Sequence, residues 1–364
     1  MPLRKVIISG GGTGGHIFPA IAIANELKKQ DPTIEILFVG AIGKMEMEKV
    51  PAAGYKIEGL WISGLQRKLT IKNLSFPFKV ISSLLRAKKI LRQFKPDAVI
   101  GVGGFASGPM LRAAAGKGIP TIIQEQNSYP GITNKILSKK VRKICVAYEG
   151  LEQWFPKEKI VLTGNPVREE IVKLEGKRER GMEHFGLNNS SSTLLIIGGS
   201  LGARTINEAI ELNLPLLAEN NIQVIWQTGK GFFERAKQCA STFSNVKVFD
   251  FIAKMDLAYA VTDVVVSRAG AISVSELCLV KKPCILIPSP NVAEDHQTKN
   301  AMALVNHHAA ILVKDVDAKE KLGETIKMIF TNQQEQNKLR NNIASLGFNN
   351  STQAIVAVIK ETVK

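Results

Sequence analysis

Short runs of Val, Ile and Leu alternate along this chain with segments of helical spacing, and the alternation runs through twice. Residues 3–9 (LRKVIIS) form an apolar run that ends on glycine, and 34–39 (IEILFV), 97–102, 119–124 and 143–147 repeat it. Between them, residues 18–29 and about 79–94 carry apolar positions at helical spacing. After about residue 165 the pattern restarts. Strands are predicted at 193–197, 222–227, 245–249, 263–267, 283–287 and 310–313, and helices at 203–219, 270–280, 297–306 and 318–329. A strand that is apolar at successive positions has no wet face, so these runs predict α/β architecture with parallel sheets covered on both sides.

The two halves echo each other. GGGTGG (10–15) follows the first strand and GGSLGA (198–203) follows the strand at 193–197, and each opens a helix. That predicts two Rossmann-like domains joined near 160–168 (IVLTGNPVR), facing one another across a cleft, with one ligand per side. The polar stretch 173–192 reads as a short helix and a loop.

Glycine permits positive φ and close backbone approach, and a helix N-terminus offers N–H groups and partial positive charge. Gly10–Gly15, Gly101–Gly104 and Gly198–Gly202 all lie at predicted strand ends. One such turn is weak evidence; three favour a diphosphate-bearing ligand on each side. NAD fits less well, because the ribose-binding acid should close the second strand, which instead ends Val39-Gly40-Ala41. His16 follows the first turn, where a helix dipole keeps imidazole mostly neutral and able to accept a proton. Packing against the turn is the plainer alternative. Glu276, in AGAISVSE after another strand, is placed to accept both hydroxyls of a ribose; a solvated helix residue is its alternative. Arg168 in GNPVR can pair with a diphosphate. Asp295 reads as a helix cap rather than a catalytic partner of His296. Asp315-Val316-Asp317 mimics a metal-binding D-x-D, yet directly precedes a helix and reads as capping. No His/Cys/Asp cluster has metal spacing and no GxSxG elbow occurs.

Charge narrows the partner. The chain has 364 residues and formal net charge +16. Residues 1–165 hold 25 Lys/Arg against 11 Asp/Glu, the remainder 23 against 21, so the excess is nearly all in one half. Residues 59–96 contain nine basic residues and no acid, interleaved with Trp61, Ile71, Leu74, Phe76 and Phe78. Part of this reads as a core helix with a solvated Lys/Arg face. The stretch 65–80, with Ile71, Leu74, Phe76, Phe78, Lys72 and Lys79, suits docking on an anionic lipid surface, since Pro77 is expected to break any helix there. Nucleic acid ranks lower: helix-turn-helix, zinc-finger and RNP signatures are missing. No run of about 18 uncharged apolar residues exists, and residues 1–10 carry no signal-peptide pattern. Cys145, Cys239, Cys278 and Cys284 have neither paired nor ligand spacing and read as reduced thiols.

Taken together, GGTGGHIFPA, GVGGFASGP, the EQN at 125–127, GNPVR, GGSLGAR, AGAISVSE and DHQTKNA resemble the MurG-type N-acetylglucosaminyltransferases in order and spacing, over about residues 3 to 360. The resemblance implies a GT-B fold: an acceptor and membrane-docking domain at 1–163, a UDP-GlcNAc-binding domain at 164–347, and a terminal helix near 348–364 packing back on the first. It implies inverting transfer of GlcNAc from UDP-GlcNAc to the C4 hydroxyl of MurNAc-(pentapeptide)-pyrophosphoryl-undecaprenol (lipid I), giving lipid II for peptidoglycan. It implies no metal or other cofactor, and peripheral attachment at the cytoplasmic face of the plasma (inner) membrane. Residue by residue, Ser200 and Arg168 would contact UDP, and Ile252 the uracil through its backbone. Ala271, Ile272, Ser273, Val274, Ser275 and Glu276 would wrap uridine and diphosphate, with Glu276 on the ribose. Gln297 and Asn127 would hold the sugar, and Thr13, Gly14 and Gly15 would line the donor–acceptor junction. Gly103 and Gly104 would take the acceptor pyrophosphate, with His16 as general base. Leu201 stands where the family usually has Gln, and Phe105 where Tyr is common. A transferase acting on diacylglycerol and a non-catalytic nucleotide-binding protein are the competing expectations.

Overall fold

The computed structural model describes residues 3–64, 75–199 and 201–364. The expectations at Ile71, Lys72, Leu74 and Ser200 lie outside the described residues. Packing divides the chain into two units, Met1–Val167 with Asn350–Lys364, and Arg168–Asn349.

The first unit runs β1 (Lys5–Ser9), α1 (Gly14–Gln30), β2 (Glu35–Ala41), α2 (Glu46–Ala52), β3 (Lys56–Leu60), α3 (Phe76–Phe94), β4 (Ala98–Gly101), α4 (Ser107–Ala115), β5 (Thr121–Glu125), α5 (Ile132–Leu137), β6 (Lys143–Val146), β7 (Ile160–Leu162). Its strands lie in the order β3-β2-β1-β4-β5-β6-β7 with parallel pairing. Alternation along β1 explains the burial of both faces. Val6 and Ile8 enter the core shared with α1, while Ile7 enters the core shared with α3 and α4.

The second unit runs α6 (Glu169–Val172), α7 (Arg178–Phe185), β8 (Ser192–Ile197), α8 (Arg204–Glu219), β9 (Ile222–Gln227), α9 (Phe233–Ala240), β10 (Val246–Phe249), α10 (Met255–Val261), β11 (Val264–Ser267), α11 (Ala271–Val280), β12 (Cys284–Leu286), α12 (His296–Val305), β13 (Ile311–Leu312), α13 (Ala318–Thr331), α14 (Gln333–Ser345). Its sheet, β10-β9-β8-β11-β12-β13, is also parallel. Leu194 and Ile196 of β8 point into one core and Leu195 and Ile197 into the other. The two Rossmann-like sheets expected from the alternation are both present.

The last helix, α15 (Ser351–Val363), belongs to the first unit. It packs against α1, Lys360 Nζ donates to Gln30 Oε1 at 2.8 Å, and Arg142 donates to the Thr362 carbonyl at 3.0 Å.

One expectation is corrected by α3. Pro77 does not break that helix but begins it, at a first-turn position whose N–H has no helical acceptor to lose. All four cysteines are free thiols.

Candidate active site

Each sheet reverses its strand order once, between β1 and β4 and between β8 and β11. Ligands of such sheets bind at that reversal, beyond the carboxyl ends of the strands. The glycine turns after β1, β4, β8 and β11 all leave the sheets there.

In the first unit the turns after β1 and β4 pack backbone on backbone. Gly11 N–H donates to the Gly103 carbonyl at 3.3 Å, and Ser107 Oγ donates to the Ser9 and Gly103 carbonyls at 2.8 Å each. Gly103 and Gly104 have φ of 90° and 83°, and a Cβ on Gly103 would stand 2.7 Å from His16 Cδ2. The imidazole therefore packs directly against that glycine. His16 Nδ1 is 3.1 Å from the Gly11 carbonyl and 3.3 Å from Thr13 Oγ1. A carbonyl only accepts, so Nδ1 carries a proton in this geometry. His16 thus packs into the turn, its ring held between the Gly11 carbonyl, Thr13 and Gly103.

Glu46, at the start of α2, was not anticipated. It is 1% exposed, accepts Gly12 N–H at Oε2 (2.8 Å) and Ala41 N–H at Oε1 (2.9 Å), and so ties the first turn to the end of β2. The acid missing from the β2 terminus is present five residues later, turned inward. Behind the turns, the EQN segment is organised by buried Glu125. Its Oε1 accepts from Asn127 N and Nδ2, and its Oε2 from Gly131 N and Asn134 Nδ2. Gln126 Nε2 donates to the Val102 carbonyl, and Asn165 of GNPVR joins Gln124 and the Gln126 carbonyl. Thr13 is the exposed N-cap residue of α1, and Gly14 and Gly15 open its first turn.

In the second unit Arg168, Tyr259 and Glu276 come together. Tyr259 OH donates to Glu276 Oε2 at 3.1 Å, and Arg168, the first residue of the unit, places its charge nearby. Burial pushes the Glu276 carboxyl up to about 7, while Arg168 and the tyrosine hydrogen bond pull it down. Residues Ala271 to Glu276 are the first two turns of α11, capped by Gly270. Gln227, at the end of β9, links two expected binding segments. Its Nε2 donates to the Gly199 carbonyl at 3.2 Å and its Oε1 accepts Ile252 N–H at 2.9 Å. Gln297 lies on α12 with its Oε1 accepting Ser289 N–H at 2.9 Å.

Residues 6–146 match the glycosyltransferase family 28 N-terminal domain and residues 193–355 its C-terminal domain. A UDP-N-acetylglucosamine–N-acetylmuramyl-(pentapeptide) pyrophosphoryl-undecaprenol N-acetylglucosamine transferase of Cytophaga hutchinsonii is 58% identical, over 100% of this chain and 99% of its own. The transferase of the same name from Flavobacterium psychrophilum is 56% identical, again over 100% and 99%. The crystal structure of Acinetobacter baumannii MurG superposes with a TM-score of 0.82 at 29% identity, over 98% of this chain and 99% of that one. The chain belongs to the MurG family of glycosyltransferases.

Two other expectations change. In the Asp315-Val316-Asp317 segment, Asp317 holds the N-cap position of α13 without a side-chain capping bond, while Asp315 pairs with Arg268 and accepts from Thr205 Oγ1 at 2.9 Å, so its charge belongs to the end of β11. Asp295 holds the N-cap position of α12, but its backbone is left-handed and its side chain makes no capping bond. Among the described residues no group of three or more His, Cys, Asp or Glu is placed to hold a metal. Leu201 is 89% exposed beside the third turn.

Glu46→Ala strands the Gly12 and Ala41 N–H groups, and is expected to cost about 2–4 kcal/mol in urea unfolding of the first unit. Glu46→Gln, which keeps an acceptor, is expected to cost less. An alanine variant within about 0.5 kcal/mol of the parent would remove the anchoring role.

Proposed function

We propose that this chain transfers N-acetylglucosamine from UDP-GlcNAc to the C4 hydroxyl of MurNAc-(pentapeptide)-pyrophosphoryl-undecaprenol, releasing UDP with inversion. The observation that carries this reading is the end-to-end likeness to transferases named for that reaction, at 58% and 56% identity. The first unit is the acceptor domain and the second the donor domain.

On the acceptor side, His16 Nε2 takes the proton of the attacking hydroxyl while Nδ1–H stays on the Gly11 carbonyl. Gly103 and Gly104, with the first turn of α1, receive the acceptor's pyrophosphate. Gly11 and Gly12 N–H are already bonded to Gly103 and Glu46, so the charge is met by the helical N–H groups of Gly14 and Gly15. On the donor side, Glu276 accepts the ribose hydroxyls. Arg168, Ser200 and the opening turn of α11, Ala271 to Ser275, hold the diphosphate, and Ile252 meets the uracil. Because Gln227 occupies Ile252 N–H, the base meets the carbonyl there. Asn127 and Gln297 hold the GlcNAc, and Thr13 lies beside the reacting hydroxyl. Bond cleavage leaves negative charge on UDP, which Arg168 and the α11 N-terminus stabilise.

The acceptor's polyprenyl tail stays in a bilayer, and α3 is suited to reach it. Phe78, Ile81 and Leu85 are 69%, 57% and 62% exposed on one side of that helix, next to exposed Arg86, Lys88, Lys89 and Arg92. Phe76 is half-buried, and Lys79 donates to Ser63 Oγ at 2.9 Å with its charge 5.8 Å from the Trp61 ring. This face attaches the protein peripherally to an anionic leaflet, at the cytoplasmic side of the plasma membrane.

Purified protein given UDP-GlcNAc and lipid I is expected to release UDP; turnover with diacylglycerol alone would reject the acceptor assignment. His16→Ala is expected to lower kcat by about 10²–10⁴ with donor affinity retained. Glu276 is ionised above about 7 and neutral below, and only the ionised form accepts both hydroxyls. Donor affinity is therefore expected to rise from about pH 6 to about pH 8, and Glu276→Gln to flatten that dependence. Phe78→Asp with Leu85→Asp is expected to abolish binding to anionic vesicles while soluble UDP-GlcNAc binding persists; undiminished vesicle binding would remove the α3 face from the account.

A further inference from the structure

Tyr259 sits on α10, 1% exposed, with its ring packed in the apolar core of the second unit. That packing needs no hydroxyl, and phenylalanine would fill the same volume. The hydroxyl reaches out of the core to Glu276 Oε2 at 3.1 Å. Just past the end of this helix a buried hydroxyl is satisfied locally: Thr262 Oγ1 donates to the Ala258 carbonyl at 2.6 Å. Tyr259 instead gives its one proton to a half-buried carboxylate on a different element. A glutamate side chain has three rotatable torsions, and a bond to one oxygen from a fixed helix removes most of that freedom.

We propose that Tyr259 is a positioning residue for the donor nucleotide: by holding Glu276 Oε2 it fixes the carboxylate in the orientation that reads both ribose hydroxyls, and so sets discrimination between ribo- and 2′-deoxyribonucleotides. This rests on the reading of Glu276 as the ribose ligand. The groups that bear electrostatically on Glu276 are Tyr259 from α10 and Arg168 ahead of α6; those that bear on Tyr259 are Glu276, Cys284 of β12 and Arg168. The tyrosine bond favours the ionised carboxylate, so its loss raises the carboxyl further and weakens binding most on the acid side.

The test is calorimetric titration of UDP and 2′-deoxy-UDP into the parent, Tyr259→Phe, Glu276→Gln and the double variant, at about pH 7 and about pH 8.5. Tyr259→Phe is expected to weaken UDP roughly tenfold at the lower pH and less at the higher, to weaken 2′-deoxy-UDP less, and to have no effect in the Glu276→Gln background. Equal weakening of both nucleotides, or an effect that persists without Glu276, would overturn the proposal. Glu276→Gln with unchanged UDP affinity would overturn the ribose assignment and the positioning role together. Weakening by Glu276→Gln but not by Tyr259→Phe would overturn the positioning role alone.

Discussion

The site in each unit depends on one constraint of parallel sheets: crossovers between parallel strands are right-handed in about 98% of cases. A sheet that grows first one way from its opening strand and then the other must therefore place its helices on opposite faces. The connections part at the reversal and leave the strand ends there uncovered. Both sheets reverse at their opening strand, beside β4 in one unit and β11 in the other. The turns that leave the gap must run very close together, which excludes side chains. A Cβ on Gly103 would collide with His16, and one on Gly104 would stand 2.2 Å from the Gly11 carbonyl oxygen. The glycines are thus required by packing as well as by any phosphate, and the same tight packing aims the imidazole.

Three carboxylates near these turns differ in how far their oxygens are satisfied. Glu46 and Glu125 are each 1% exposed and receive donors on both oxygens, all from their own unit. Such groups are already fully engaged and act as anchors for the loops that bond them. Glu276 is half-buried with a donor on Oε2, and burial raises its carboxyl to about 7. A partly desolvated carboxylate with an oxygen left to offer favours a ligand's hydroxyls, because those bonds restore what burial removed. The contrast separates the scaffold acids from the acid proposed to bind the ribose, without reference to their positions in the chain.

Legibility followed the same physics. Strands buried on both faces wrote continuous apolar runs, so β1, β2, β4, β5 and β8 were evident. β3 (KIEGL) and β7 (IVL) are not, because Lys56, Glu58 and Gly59 interrupt the apolar run of the first and the second is three residues long beside the polar joint. Glycine turns announced the reversal points, since the backbone requirement falls on the residue itself. Glu46, Tyr259 and Gln227 gave no signal: each acts through a partner 15 or more residues away or on another element, and a lone acid, aromatic or amide has no local pattern. Pro77 suits a helix start as well as a helix stop, and only the position of the first turn separates the two.

The membrane attachment proposed for α3 would combine two weak attractions. The inner stripe of the helix buries Ser83, Ala87, Ile90 and Leu91, while Phe78, Ile81 and Leu85 stay exposed on another side. Transferring Phe78, Ile81 and Leu85 into acyl chains is worth about 1.5–3 kcal/mol each at full burial, and less at the partial depth an interfacial helix reaches. Each nearby Lys or Arg adds about 1 kcal/mol at an anionic surface. Either contribution alone corresponds to binding near the millimolar range; together they approach micromolar. An enzyme whose acceptor diffuses in two dimensions and whose donor diffuses in three is served by that intermediate strength, since attachment must persist through a turnover and still allow release.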